Sequence, residues 1–179
     1  MCWRNNKQVT LRCATAGDVL ALLDVQQAGA VQGLGHIFPQ DRYPFPRERL
    51  AARWRSEIAG SGTDVYVYTA EDGTVCGFAA TRGDELLHFG TSPSTWGSRL
   101  ASRFLNDLVD RMAVTAAGPT LRLRVFEENA RARRFYEKNG WRATGATSHT
   151  TFPPHPLLLE YERPFPAEQS AGTVKFGTV

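Results

Sequence analysis

Residues 121–141 read LRLRVFEENARARRFYEKNGW, a strand, a turn, a helix and a second turn in succession. Leu121, Leu123 and Val125 alternate with Arg122 and Arg124, the period of a strand with one buried face. Glu-Glu-Asn follows, and Asn129 is a residue type favoured at a helix N-cap. Ala132, Phe135 and Tyr136 fall at the i, i+3, i+4 spacing of one helix face. Asn139-Gly140 supplies a stop, because both residues tolerate the left-handed conformation that ends helices. Trp141 opens the next apolar segment.

Upstream, TSPSTWGSRLASRFL over 91–105 reads as the end of a strand, a short turn and a helix running from about Trp96 to Met112. Leu100, Phe104, Leu105 and Leu108 form its apolar face. A helix start after such a turn offers free N–H groups and the positive end of the helix dipole, which suits a phosphate. Three strands precede it. Val65, Val67 and Thr69 alternate with Tyr66 and Tyr68, and Asp72-Gly73 is a hairpin turn of a strong type. Strands over 74–81 and 85–91 follow, so the three form an antiparallel meander. Gly77 within the second marks a bulge or a close approach.

At the N-terminal end a strand over Val9–Cys13 leads through Thr15 into a helix carrying Val19, Leu20, Leu22, Leu23 and Val25, which weakens by Gly29 and Gly33. The stretch 33–47, with three prolines and three aromatics, reads as a loop. A helix over 47–58 places Leu50, Trp54 and Ile58 at four-residue spacing. Near the C-terminus a Pro-rich turn over 152–156 precedes a strand over 157–161. Strands and helices mixed in this order give an α/β class.

The 179 residues suit one domain over 9–163 with tails at 1–8 and 164–179, the second expected to be disordered. Apolar content of 42% against 22% charged is that of a globular chain able to bury a core. A net charge of +3 is too small to call for nucleic acid but permits an anionic ligand. Three scattered cysteines, Cys2, Cys13 and Cys76, have no metal spacing and suit a reducing, cytoplasmic compartment. The first ten residues carry no signal-like apolar run, and no stretch approaches a membrane span. No metal site is expected.

Val125, Asn129, Ala132, Phe135, Tyr136, Gly140 and Trp141 spell V-x-x-x-N-x-x-A-x-x-F-Y-x-x-x-G-W. This resembles the C-terminal motif of the GNAT superfamily of N-acetyltransferases. The element order resembles that family over nearly the whole chain, which implies a mixed, mostly antiparallel central sheet flanked by helices. Pro93, Gly97, Ala101 and Leu105 also align with the family's pyrophosphate turn, V-x-P-x-x-Q/R-G-x-G-x-G/A-x-x-L-L. Trp96 stands where Gln or Arg is usual, and Arg99 where a Gly is usual. Arg99 either points outward or clamps a phosphate; alternatively the turn has a changed affinity for its donor.

The resemblance implies acetyl-CoA as cofactor. Its pyrophosphate would meet Trp96, Gly97, Ser98, Arg99, Leu100 and Ala101, with Asn129, Arg131 and Phe135 completing the cofactor site. Phe89, Gly90 and Thr91 would pair with the pantetheine arm as with an added strand. Tyr136 would be the general acid for the departing thiolate. From spacing alone Phe135 and Tyr136 read equally well as core packing, and Asn129 as a cap.

An amine acceptor needs a base, and the residues leave it open between His36, in the loop, and His88, on the strand before the phosphate turn. His36, Phe38, Tyr43, Phe45 and Trp54 suggest an aromatic-walled acceptor pocket, or a loop stapled to the core. His149, His155 and Pro153-Pro154 occupy the last turn, which borders the same pocket in the family. The expected activity is acyl transfer, most simply acetyl, to a primary amine of a small molecule by direct attack in a ternary complex. Two alternatives stay open. One is a transferase using aminoacyl-tRNA, with Arg122, Arg124, Arg131, Arg133 and Arg134 as a basic face; its signature would be steep salt dependence. The other is a non-catalytic coenzyme A-sensing domain. A homodimer is compatible with the fold by analogy alone.

Overall fold

The computed structural model describes residues 9–115 and 118–165; the expectations for the tail at 1–8 and for the tail beyond Phe165 lie outside them. The elements run β1 (Val9–Cys13), α1 (Val19–Leu34), α2 (Arg47–Ala59), β2 (Asp64–Ala70), β3 (Val75–Arg82), β4 (Glu85–Thr91), α3 (Leu100–Thr115), β5 (Thr120–Phe126), α4 (Ala130–Lys138), β6 (Arg142–His149) and β7 (Leu157–Pro164). They build a seven-stranded sheet of order β1-β2-β3-β4-β5-β7-β6. Every neighbouring pair is antiparallel except β4 and β5. The α/β class and the mixed, mostly antiparallel sheet are as expected.

Strand β2 explains the layering. Its alternation was that of a half-buried strand, yet every residue after Asp64 is buried. Val65 and Val67 pack with Leu22, Leu23 and Trp54 of α1 and α2. Tyr66 and Tyr68 pack with Phe104, Leu105 and Leu108 of α3 on the opposite face. Helices on both faces bury both sides of a central strand. Tyr68 keeps its hydroxyl satisfied by donating to Asp107 at 2.9 Å, and its ring stacks on Phe104 at 4.6 Å. On β5, Leu121, Leu123 and Val125 join the α3/α4 core, while Arg122 and Arg124 face out.

Helix α3 begins at Leu100, later than the expected Trp96. A single 3₁₀ turn over Pro93–Thr95 intervenes, and Gly97 takes φ +79°, a left-handed value that interrupts a right-handed helix. Strand β7 runs to Pro164, three residues past the expected end. At the sheet edge β6 is mostly exposed, and its register shifts between Ala143 and Thr147, a bulge of the kind that blunts edge strands.

Gly77 is both a bulge neighbour and a close approach. The β2–β3 register skips Cys76 beside it. A Cβ on Gly77 would lie 2.9 Å from the Phe104 ring and 3.0 Å from the Gly90 carbonyl.

Candidate functional site

Strands β4 and β5 pair over only two positions, Glu85↔Arg122 and Leu86↔Leu123. The cause lies one strand away. Between β3 and β4 the register passes from Ala80↔His88 to Thr81↔Leu86, so Leu87 is an extra residue that bends β4. Beyond it the last part of β4 leaves β5, and a groove opens between them. Its volume is about 830 Å³, and it runs from Phe89, Asn129, Ala132 and Tyr136 at one end to the α1–α2 loop, α2 and the β6–β7 loop at the other.

The ladder decides which backbone groups face this opening. Ser92 N–H donates to the Cys76 carbonyl at 2.8 Å. Antiparallel pairs alternate between bonded and non-bonded, so in the same register Gly90 bonds to Phe78. The N–H and C=O of Phe89 and Thr91 then point away from β3, toward the splay. Gly90 serves differently: a Cβ there would meet the Phe78 ring at 2.6 Å. The Thr91 carbonyl already accepts the Trp96 indole N–H at 3.2 Å.

The phosphate-like turn follows directly. The N–H groups of Gly97, Arg99, Ala101 and Ser102 have no hydrogen-bond partner among the described residues, as expected at a helix start. Leu100 is buried in the core, and its N–H donates to Ser98 Oγ at 3.3 Å. Ser98 Oγ donates to the Thr95 carbonyl, and Arg99 is exposed. Trp96 packs between Gly33 of α1 and Arg131 of α4: a Cβ on Gly33 would lie 3.3 Å from the indole, a tight contact, and the Arg131 guanidinium lies 3.3 Å from the ring centroid. Burial lowers the pKa of Arg131, but a guanidinium stays charged. Trp96 thus carries a cation on its face at the place where the family pattern has a polar side chain.

Helix α4 is set by Asn129, whose side chain accepts the Ala132 N–H at 3.1 Å, and is closed by Asn139, which donates to the Phe135 carbonyl at 2.7 Å. Between these caps Phe135 stacks on Phe89 at 5.8 Å, and Tyr136 reaches the groove. Tyr136 is 8% exposed, and its hydroxyl has no hydrogen-bond partner among the described residues. Burial raises its phenol above the ordinary value, so the proton stays on Oη through neutral pH.

The two histidines expected as bases part company. His36 is exposed, and its Nε2–H donates to the Glu128 carbonyl at 3.1 Å, away from the groove. His88 lines the groove with an unpartnered Nε2 and packs edge-on against Trp54 at 5.3 Å. Burial, with the Arg53 charge adding to it, pushes its pKa down to about 4. Of the expected aromatic wall, Phe38, Tyr43 and Phe45 line the groove. Trp54 does not: it is 1% exposed and donates to Gln26 at 2.9 Å, a floor beneath His88.

The sequence reading missed the arginines of this wall. Arg49 and Arg53, one helical turn apart on α2, line the groove with Arg42 of the loop; the four-residue spacing was the available signal. The proposed basic face is not formed as one surface. Arg122 and Arg124 lie on the side of β5 away from α4, and Arg124 pairs with Glu85. Arg131 covers Trp96, and Arg133 donates to the Tyr161 hydroxyl and the Glu127 carbonyl. Among the described residues no group of His, Cys, Asp and Glu could hold a metal ion, and no helix is long and apolar enough to cross a membrane.

The acetyltransferase (GNAT) family model matches residues 31–141, which include the turn and most of the groove but not its β6–β7 loop wall. No curated protein sequence matches the chain. Among solved structures, spermidine N-acetyltransferase from Vibrio cholerae in complex with CoA and spermine is similar at TM-score 0.67 and 15% identity, over 88% of this chain and 96% of that one. The ribosomal-protein-S18-alanine N-acetyltransferase from Escherichia coli gives 0.65 and 19%, over 92% and 98%. The PaiA N-acetyltransferase from Thermoplasma acidophilum in complex with coenzyme A gives 0.66 and 19%, over 88% and 99%. At these identities the structures speak for the fold, and their acceptors, one a polyamine and one a protein, differ from each other.

Proposed function

Because the chain belongs to the GNAT family of acetyltransferases, and is thereby an acetyl-CoA-dependent N-acetyltransferase, we propose that the β4–β5 groove is its active site and that it acetylates a primary amine of a small molecule. The observation that carries this reading is the splay itself. A single extra residue, Leu87, separates two strands beside a turn with free N–H groups, and Tyr136 stands in the opening.

The residues present fit coenzyme A. The free N–H groups after Gly97, with Arg99 and Arg131 beside them, would hold its pyrophosphate. Phe89 and Thr91 would pair with the pantetheine arm through the backbone groups that β3 leaves unused, with the Thr91 carbonyl shared with Trp96. Asn129 would border that arm, while Gly90 and Phe135 would support it through Phe78 and Phe89. When bound, acetyl-CoA supplies an activated acetyl thioester.

Tyr136 keeps its proton on Oη at the end of the groove where a departing thiolate needs one. His88 has the opposite character. Held neutral by burial, it is a weak base for an ammonium and serves as a hydrogen-bond partner for an amine already deprotonated. The transfer would take place within one ternary complex, in a groove that reaches from Tyr136 to the acceptor wall. The free thiols Cys13 and Cys76 suit the reducing cytoplasm expected for such an enzyme.

The test is calorimetric titration with acetyl-CoA, followed by turnover of the parent and Tyr136→Phe. We expect binding in the micromolar range for both, and a fall in kcat of about 10²-fold in the variant, the size of a lost general acid. Unchanged kcat in Tyr136→Phe would remove Tyr136 from the reaction. No acetyl-CoA binding by the parent would overturn the site.

A further inference from the structure

The charge along the acceptor half of the groove is one-sided. Four arginines and one glutamate line the groove: Arg42, Arg49, Arg53, Arg124 and Glu85. Glu85 pairs with Arg124, and Arg53 pairs through Nε with Glu57 at 2.7 Å. Arg42 and Arg49 have no ion-pair partner among the described residues. The acidic residues beside them in sequence, Asp41 and Glu48, are exposed and do not line the groove. The wall therefore presents two uncompensated cations and no uncompensated anion.

Arg49 is also placed. Its guanidinium lies 4.5 Å from the centroid of the Phe152 ring, across from α2 on the β6–β7 loop. A cation stacked on a ring in this way has its edge free for a planar, two-oxygen partner. Next to it Phe38, Phe45 and Phe152 give an apolar wall. An acceptor that satisfies both features carries an apolar body and an acidic group in addition to its amine. A polyamine would bring further positive charge against Arg42 and Arg49 and would find no free carboxylate to meet it.

We propose that the acceptor is an amine that also bears a carboxylate or a similar oxyanion, of the size and class of an apolar α-amino acid, and that Arg49, with Arg42, binds that anion. This rests on the reading of the groove as an acetyltransferase active site. Arg42 and Arg49 then determine specificity: they hold the acceptor by a group that takes no part in the reaction, and so select for acceptors that carry it.

The test uses the full chain and matched probes. Acetylation of L-phenylalanine, 2-phenylethylamine and spermidine is measured at saturating acetyl-CoA, and binding of 3-phenylpropionate and 2-phenylethylamine is measured by NMR titration without turnover. We expect L-phenylalanine to exceed 2-phenylethylamine in kcat/KM by about tenfold or more, the usual gain from a charge-assisted contact, and spermidine to be the poorest. We expect 3-phenylpropionate to bind, and its affinity to fall with added salt. In Arg42→Gln/Arg49→Gln the KM for L-phenylalanine should rise about tenfold while that for 2-phenylethylamine stays or falls, with acetyl-CoA affinity unchanged.

Preference for 2-phenylethylamine or spermidine, or no binding of 3-phenylpropionate, overturns the proposal. Weakened acetyl-CoA binding in the double variant also overturns it, by assigning the arginines to the cofactor. Failure of the parent to bind acetyl-CoA is a separate result: it removes the acetyltransferase site, while the 3-phenylpropionate titration still reads the charge of the groove.

Discussion

His88 shows how one residue couples the groove to stability. Its Nε2 is buried without a partner, and its pKa falls from the ordinary 6.5 to about 4. Between those values the unfolded chain takes up a proton that the folded chain refuses. Stability is therefore complete above pH 6.5 and is lost as pH falls toward 4, by about 3 kcal/mol at most. Denaturant melts of the parent and of His88→Gln between pH 7 and pH 4 check this. The parent should lose more stability in that window than the variant, by up to the His88 contribution, and parallel curves would show that His88 is protonated in the fold. Asp18 acts in a lower window. The hydrogen bonds from Arg12 hold its carboxyl below the usual 3.8, so its contribution disappears only on further acidification.

Among the elements, β3 and β4 meet with unusually little between them. Gly77 has neither room for a methyl group against Phe104 nor distance from the Gly90 carbonyl. Gly77→Ala must displace one of the two, and overpacking of this kind costs about 1–3 kcal/mol. Chemical denaturation should show that loss, and acetyl-CoA affinity should fall with it, because Phe104 also supports Phe89 at 4.9 Å. A stability loss with unaltered cofactor affinity would mean that the β4 end adapts independently. The α3 start teaches a related lesson. The expected helix from Trp96 is displaced to Leu100 by Gly97 in the left-handed region, and the residues so released form the turn with free N–H groups.

Across the whole molecule the sheet is two halves, β1–β4 and β5-β7-β6, joined by the short β4–β5 pairing. A ligand in the splay touches both. Saturating acetyl-CoA should stabilise the fold by about 2.7 kcal/mol at a hundredfold excess over Kd. Hydrogen exchange should slow at the amides of Phe89 and Thr91 in particular, since those face the opening. Protection confined to the turn at 97–102 would show that the arm does not pair with β4.

Local pattern made most elements legible. Alternation and turn chemistry placed the meander and β5, and Asn129 and Asn139-Gly140 bounded α4, because caps and period-two burial are written in neighbouring residues. The seven motif positions over 125–141 carried the family as well. Of the residues expected to meet the cofactor, Tyr136, Asn129 and the turn lie in contiguous stretches, so the resemblance named them as a set. The other end of the groove was not legible, because it is assembled from α2, the α1–α2 loop and the β6–β7 loop, which are distant in sequence. His36 and His88 looked equivalent as chemistry, and only packing sent one to the Glu128 carbonyl and buried the other on Trp54. Arg49 was not singled out in the sequence, and only the fold laid Phe152 beside it. Sequence by itself determined the elements, because those depend on local spacing, and it pointed to the class of reaction only through the resemblance that the contiguous motif over 125–141 carries. Tertiary structure alone decided which backbone groups face the splay and which charges line the groove, because both depend on contacts between segments that no local pattern connects.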